Sequence, residues 1–290
     1  MNNADKLFTS SKPTLVATGF VFTEGPLWHP NGVLYVSDVD ARIHYKVHLD
    51  EPVTKEIVRE NSGGANGAVF DRDGKLVMCE QDARRVVRYE QNCSVTLLAG
   101  HYQGKRLNRS NDIVLHPDGS FYFTDPDKKG LPEEEKELGF SGIFRLNPDG
   151  ELILLANDMN HPNGLAFSGD CTKLYVSNSR PDPHLHAYDV KPDGTLNNSR
   201  IVAEMPYVLN SELYGVPDGL KLDDAGNIYS TGPGGIWVWD AGENYLGLVE
   251  TPELPANIGW GGPDNRTMFI AARTSVYSLR CVNPGIPVQP

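Results

Sequence analysis

Asn111-Asp-Ile-Val-Leu-His-Pro-Asp-Gly-Ser-Phe-Tyr-Phe-Thr-Asp125 reads as two alternating apolar runs hinged on a Pro-Asp-Gly turn. Glycine at such a turn tolerates positive φ, so an Asp-Gly between two period-2 runs is a strong short-range hairpin signal. The same plan recurs at Glu24 (EGPLWHPNGVLYVSD), Asn66 (NGAVFDRDGKLVMCE), Asn163 (NGLAFSGDCTKLYVSN), Asp218 (DGLKLDDAGNIYSTG) and Asn257 (NIGWGGPDNRTMFIAA). The six starts lie 39 to 55 residues apart, with room for loop insertions in the longer units. A repeat of that length is the signature of an array or a propeller.

Two more alternating runs usually follow each hairpin, such as Arg42 to Val47 and Val53 to Arg59 after Asp38. Four strands in each of six units predict an all-β fold, a six-bladed β-propeller of antiparallel blades spanning residues 1–290 as a single domain. The sixth unit runs out of strands, because the proline-containing tail from Asn283 to Pro290 makes a poor central strand. Thr14-Leu-Val-Ala-Thr18 has no partner of its own and can supply the missing outer strand. Joining the chain ends in this way would leave the ring without exposed edges.

Dense turn residues, 29 Gly and 21 Pro, accompany a hydrophobic fraction of 39%, as expected for many short strands. The formal charge of −12 and a pI near 5.1 argue against nucleic acid or an anionic membrane as partner. A polar amino terminus without an apolar core, and no run long enough to span a bilayer, lead us to expect a soluble, cytoplasmic protein, monomeric or dimeric. Cys79, Cys93, Cys171 and Cys281 are scattered without metal-site spacing and are expected to be packed thiols. The serines lack a GxSxG elbow, which argues against an acyl-enzyme hydrolase.

In a propeller the first strand of each blade lines the central channel, so the six first residues converge on one mouth. They are Glu24, Asn66, Asn111, Asn163, Asp218 and Asn257, all carboxylates or carboxamides. One such residue would be explained by local turn bonding, but six around one channel ask for more. Their oxygens suit a hard divalent cation: calcium first, with magnesium, manganese or zinc as alternatives. Glu24 and Asp218 together would balance its charge. The second strands end on the same face, which places Asp38, Glu80, Asp125 and Asn178 on the rim, either as outer partners of the site or as loop caps.

EGPLW at Glu24, RSNDI up to Ile113 followed by DGSFYFTDP, HPNGLAFS at His161 and PDGLKLD at Pro217 stand in one order along the chain. In these motifs the chain resembles the gluconolactonase, regucalcin and luciferin-regenerating family, closest to the gluconolactonase branch. The resemblance covers nearly the whole chain. It implies one divalent metal held by Glu24, Asn163 and Asp218, with Asn111 bound directly or through water. It also implies that Asp218 is the base, that Arg109, Asn111 and Asn66 face the substrate, and that the reaction opens a lactone, such as gluconolactone, to its hydroxy acid.

A metal-polarised ester carbonyl and a carboxylate that takes a proton from water are compatible with those residue types. Competing expectations are an aryl esterase or phosphotriesterase, a metal-free carbon–nitrogen bond-forming propeller, and a non-catalytic calcium-binding propeller. The insertion from Pro126 to Gly139 rises from the metal face in this reading. Leu131, Leu138, Leu213 and Tyr214 would then shield the site while Glu133 to Glu137 stay solvated.

Overall fold

The computed structural model describes residues 3–10, 12–91, 94–127, 132–208 and 214–287. Six four-stranded antiparallel sheets form the ring of a six-bladed β-propeller. Blade one runs Thr23–His29, Val33–Asp38, Ile43–His48 and Thr54–Glu60 from the channel outward, and blade two runs Ala65–Phe70, Leu76–Glu80, Arg85–Tyr89 and Val95–Ala99. The innermost strands of blades three, four and five are Ile113–Leu115, Pro162–Phe167 and Leu220–Leu222. Cys93, Leu131 and Leu213 lie outside the described residues.

The last blade closes as expected. Pro255–Gly261, Thr267–Ala272 and Ser275–Arg280 supply its inner three strands, and Thr14–Thr18 pairs antiparallel with Ser275–Arg280 as the fourth. A second clasp precedes it: Phe8 bridges Cys281, and Ala4 is fully buried beside Tyr229 and Met268. The two ends of the chain therefore share one sheet.

Alternation along the strands gives each blade two apolar faces, and the core is divided into layers between neighbouring blades. Val77 and Cys79 of blade two meet Phe123 and Phe144 of blade three. Leu34 and Val36 of blade one meet Phe269 and Val276 of blade six. Outer strands such as Thr54–Glu60 are mostly exposed, whereas the inner ones are buried. Cys79 and Cys281 are buried free thiols and Cys171 a partly buried one.

The channel mouth reached by the hairpin turns is a cavity of about 440 Å³ walled by Leu27, Trp28, Phe167, Trp260 and Ile286. His116 lines it, and His29 packs edge-on to Phe70 nearby, in keeping with their positions beside the turns. Among the described residues no helix is long and apolar enough to cross a membrane.

Candidate functional site

At the opposite mouth the inner strands are irregular in a way the sequence pattern did not reveal. Blades one, two, four and six each carry a bulge there, between Glu24 and Leu27, Ala65 and Ala68, Pro162 and Leu165, and Pro255 and Asn257. Asn111 and Asp218 precede the ladders of their blades altogether. A bulge releases a residue from its own ladder and re-aims its side chain.

The released backbone bonds across to the next blade instead. Gly67 donates its N–H to Asn111 O at 2.9 Å, Gly164 to Asp218 O at 3.0 Å, and Gly219 to Ala256 O at 2.7 Å. Close approach requires glycine at these points: a Cβ on Gly164, for instance, would strike the Asp218 carbonyl and one on Gly219 the Asn257 amide. Second-strand hydroxyls complete the stitching: Ser37 Oγ donates to Asn66 O at 2.8 Å, Thr124 Oγ1 to Asn163 O at 2.7 Å, and Ser177 Oγ to Asp218 O. These bonds tie the strand entries of neighbouring blades together around the mouth, where Glu24, Asn163, Asp218 and Asn257 interact.

Within that ring Glu24 is 2% exposed. Its Oε2 accepts from the Gly25 N–H at 2.9 Å and from Asn257 Nδ2 at 2.9 Å. Burial still drives the Glu24 carboxyl up to about 7, with the two hydrogen bonds and Lys221 opposing and Asp112 assisting. Asp218 is raised well above the usual carboxylate range, first by burial and then by repulsion from Glu24 and Asp112, while a hydrogen bond from Asn163 holds it down. Two raised acids, one of them lifted in part by the other, are in need of positive charge.

Among the amides, Asn66 presents a free oxygen. Asn66 donates from Nδ2 to Gln81 Oε1 at 3.2 Å, and its Oδ1 is buried without a partner. Asn163 donates from Nδ2 to Ser179 Oγ at 3.0 Å, and Ser179 in turn donates to Pro217 O at 2.7 Å. Among the described residues no group of three or more His, Cys, Asp and Glu side chains forms a metal site. The donors gathered here are two acids and several amides, an all-oxygen set that fits a hard cation rather than a soft one.

Gln81 and Ser179 were not singled out in the sequence, although each directly follows the second strand of its blade. Three of the four rim residues are loop caps, and Glu80 forms ion pairs instead. Asp38 accepts from the Val21 and Phe22 N–H groups, Asn178 from the His161 N–H, and Glu80 pairs with Arg85. Asp125 accepts from the Asn108 N–H at 2.7 Å and from Ser110 Oγ at 3.2 Å, so it grips the loop that carries Arg109 and Asn111. Short polar side chains at strand ends find the nearest unpaired N–H groups, which here belong to the incoming loops.

Arg109 is partly buried and its Nε has no hydrogen-bond partner; its charge interacts with Asp82 and Asp40 first, and then with Arg180 and Asp218. One residue along from Asn111, Asp112 is 2% exposed and pairs with Lys221 Nζ at 3.3 Å across the channel. Lys221 also lines the apolar cavity on the other side. Leu138 corrects the expected shield: it is buried among Val69, Leu107 and Phe123 in the layer between blades two and three. Tyr214 is exposed, with its hydroxyl 3.4 Å from Arg273 Nη2, and Glu133 to Glu135 are solvated as expected.

Residues 22–274 match the profile of the SMP-30/Gluconolactonase/LRE-like region. A gluconolactonase of Zymomonas mobilis is 33% identical over 95% of this chain and 83% of its own length. The pentonolactonase XacC of Haloferax volcanii is 28% identical over 88% of this chain and 83% of its own. Among solved structures, a gluconolactonase of Xanthomonas campestris superposes with a TM-score of 0.84 at 28% identity, covering 96% of this chain and 92% of that one. Ring, oxygen-lined mouth and sequence agree, and the chain belongs to the SMP-30/gluconolactonase/LRE-like family.

Proposed function

We propose that the protein is a divalent-metal-dependent lactonase that opens a sugar lactone to its hydroxy acid. The observation that carries this reading is the pair of acids Glu24 and Asp218, both raised and Asp218 in part by Glu24, gathered with amide side chains at one mouth of the channel. Glu24, Asn163 and Asp218 would hold the cation, with Asn111 as a direct or water-mediated ligand. Calcium is the first choice for such a set, and zinc, magnesium or manganese the alternatives. Bound there, the ion would polarise an ester carbonyl and lower the pKa of neighbouring water.

The chain's own groups supply the rest. Asp218 takes the proton of the attacking water as the new C–O bond forms, and the proton passes to the ring oxygen as the ester C–O bond breaks. Arg109, whose Nε has no partner, binds substrate oxygens, and the free Asn66 Oδ1 accepts a substrate hydroxyl. Asn257 and Ser179 orient the acid and the amide that meet the cation. The three relatives named above, all lactonases, favour this reaction over aryl ester or phosphotriester hydrolysis.

Protein stripped with a chelator should lose acid release from a panel of sugar lactones and regain it on adding back one metal. Glu24→Gln and Asp218→Asn should each lower metal affinity and abolish turnover while leaving the ring folded. Wild-type activity and metal content in both variants would sink the assignment.

A further inference from the structure

The charge of a second guanidinium reaches the acidic ring, for Arg180 lowers Asp218. Arg180 lies two residues beyond Asn178, at the end of the second strand of blade four. Its Nη2 is 3.2 Å from His161 Nε2, and the His161 N–H donates to Asn178 Oδ1 at 2.8 Å, so the arginine is braced by its own blade. To accept from Arg180, His161 must present the lone pair of a neutral imidazole at Nε2. The Nε atoms of Arg180 and Arg109 are both buried without a hydrogen-bond partner. Arg180 and Arg109 repel one another, and both act on Asp218.

A buried guanidinium nitrogen left without an acceptor is costly, and here two belong to cations that repel one another. An oxyanion between them would satisfy both planar forks at once, which is the geometry in which arginine outperforms lysine. Neutral sugar lactones carry no such group until the ring opens. We propose that Arg109 and Arg180 form a subsite for a permanent anionic group, and that the enzyme selects sugar lactones bearing a second carboxylate over neutral ones. This rests on the lactonase reading and adds to it the class of substrate.

The test compares kcat/KM for a neutral six-carbon aldonolactone and for its counterpart with a carboxylate at the far carbon, using metal-loaded wild type, Arg180→Gln and Arg180→Lys. Wild type should favour the acidic lactone by tenfold or more. Arg180→Gln should lose at least tenfold more on the acidic than on the neutral substrate, and Arg180→Lys should recover part of that difference. Melting temperatures monitor the fold of each variant. Should the variants not fold, product inhibition of wild type decides instead, and the dicarboxylate product must bind at least tenfold more tightly than the monocarboxylate one. A wild-type preference for the neutral lactone, equal losses on both substrates, or equal inhibition by both products would overturn the subsite. Failure to open either lactone would instead overturn the lactonase reading.

Discussion

Asn257 Nδ2 donates to Glu24 Oε2 at 2.9 Å across the seam where the last blade meets the first, joining residues far apart in the chain. The amide cannot flip, because its Oδ1 already accepts the Ile258 N–H at 2.8 Å. Thr23 reinforces the seam, donating its N–H to Arg273 O at 2.7 Å and its Oγ1 to Ser275 O at 3.1 Å. One candidate ligand is thus oriented by the residue that occupies the equivalent place in the neighbouring blade.

Asn257→Ala should therefore loosen Glu24 without opening the ring. Groups that orient a metal-binding side chain typically contribute about 10–100-fold in affinity. Calorimetric titration of chelated protein should show a loss in that range, with a melting temperature close to wild type. Unchanged affinity would mean that Glu24 needs no brace or does not bind the ion.

Metal-free protein should lose stability as pH rises from about 4.5 to about 7. An unfolded Glu24 ionises near its ordinary value of 4.5, whereas the folded one holds its proton up to about 7. Between those values the folded state binds more protons, so stability falls with pH and levels off above the folded pKa. For a shift of this size the full effect is on the order of 1–3 kcal/mol. Thermal melts of chelated wild type against Glu24→Gln should show the slope in the former and a flatter profile in the latter, and saturating metal should remove the difference at neutral pH.

The repeat made the ring and its oxygen-bearing residues legible, because every blade places Glu24, Asn66, Asn111, Asn163, Asp218 and Asn257 at a matching point of its first hairpin. Closure by Thr14–Thr18 was legible from a shortage: the sixth unit lacked a strand and the tail held prolines. What stayed hidden depends on neighbours in another blade. Nothing local marks Lys221 as the partner of Asp112, or Arg180 as the companion of Arg109, since each pair spans two repeats. The burial of Leu138 was likewise invisible, because an insertion has no counterpart in other blades from which its packing could be inferred.

Deleting residues 1–18 should open the ring. The deletion removes the Thr14–Thr18 ladder against Ser275–Arg280, the Phe8–Cys281 bridge and the buried Ala4 contact. Ladder hydrogen bonds contribute roughly 0.5–1.5 kcal/mol each, so several lost together should cost about 3 kcal/mol or more. The exposed edge of Ser275–Arg280 should then recruit other chains. Size-exclusion chromatography should find aggregate, and a monomeric, fully active product would contradict the closing role.

Asp125 offers a way to separate substrate contact from metal binding. It is fully buried at the end of the second strand of blade three, and burial pushes its carboxyl up to about 7. Its oxygens hold the Asn108 N–H at 2.7 Å and Ser110 Oγ at 3.2 Å, and Asn108 Nδ2 reaches across to Phe140 O at 2.7 Å. Arg109 sits between the two gripped residues, so its approach to the ring depends on this clamp. Asn111 has a second tether, its N–H donating to Thr124 O at 2.8 Å, and Glu24, Asn163 and Asp218 lie on other blades. Asp125→Ala should therefore raise KM for lactones several-fold or more through a wandering Arg109, while metal affinity changes little. The unsatisfied loop N–H should also cost about 1–3 kcal/mol of stability. Asp125→Asn, which keeps one acceptor oxygen, should recover part of both losses. Equal weakening of metal and substrate binding in Asp125→Ala would show instead that the clamp supports the whole ring of ligands.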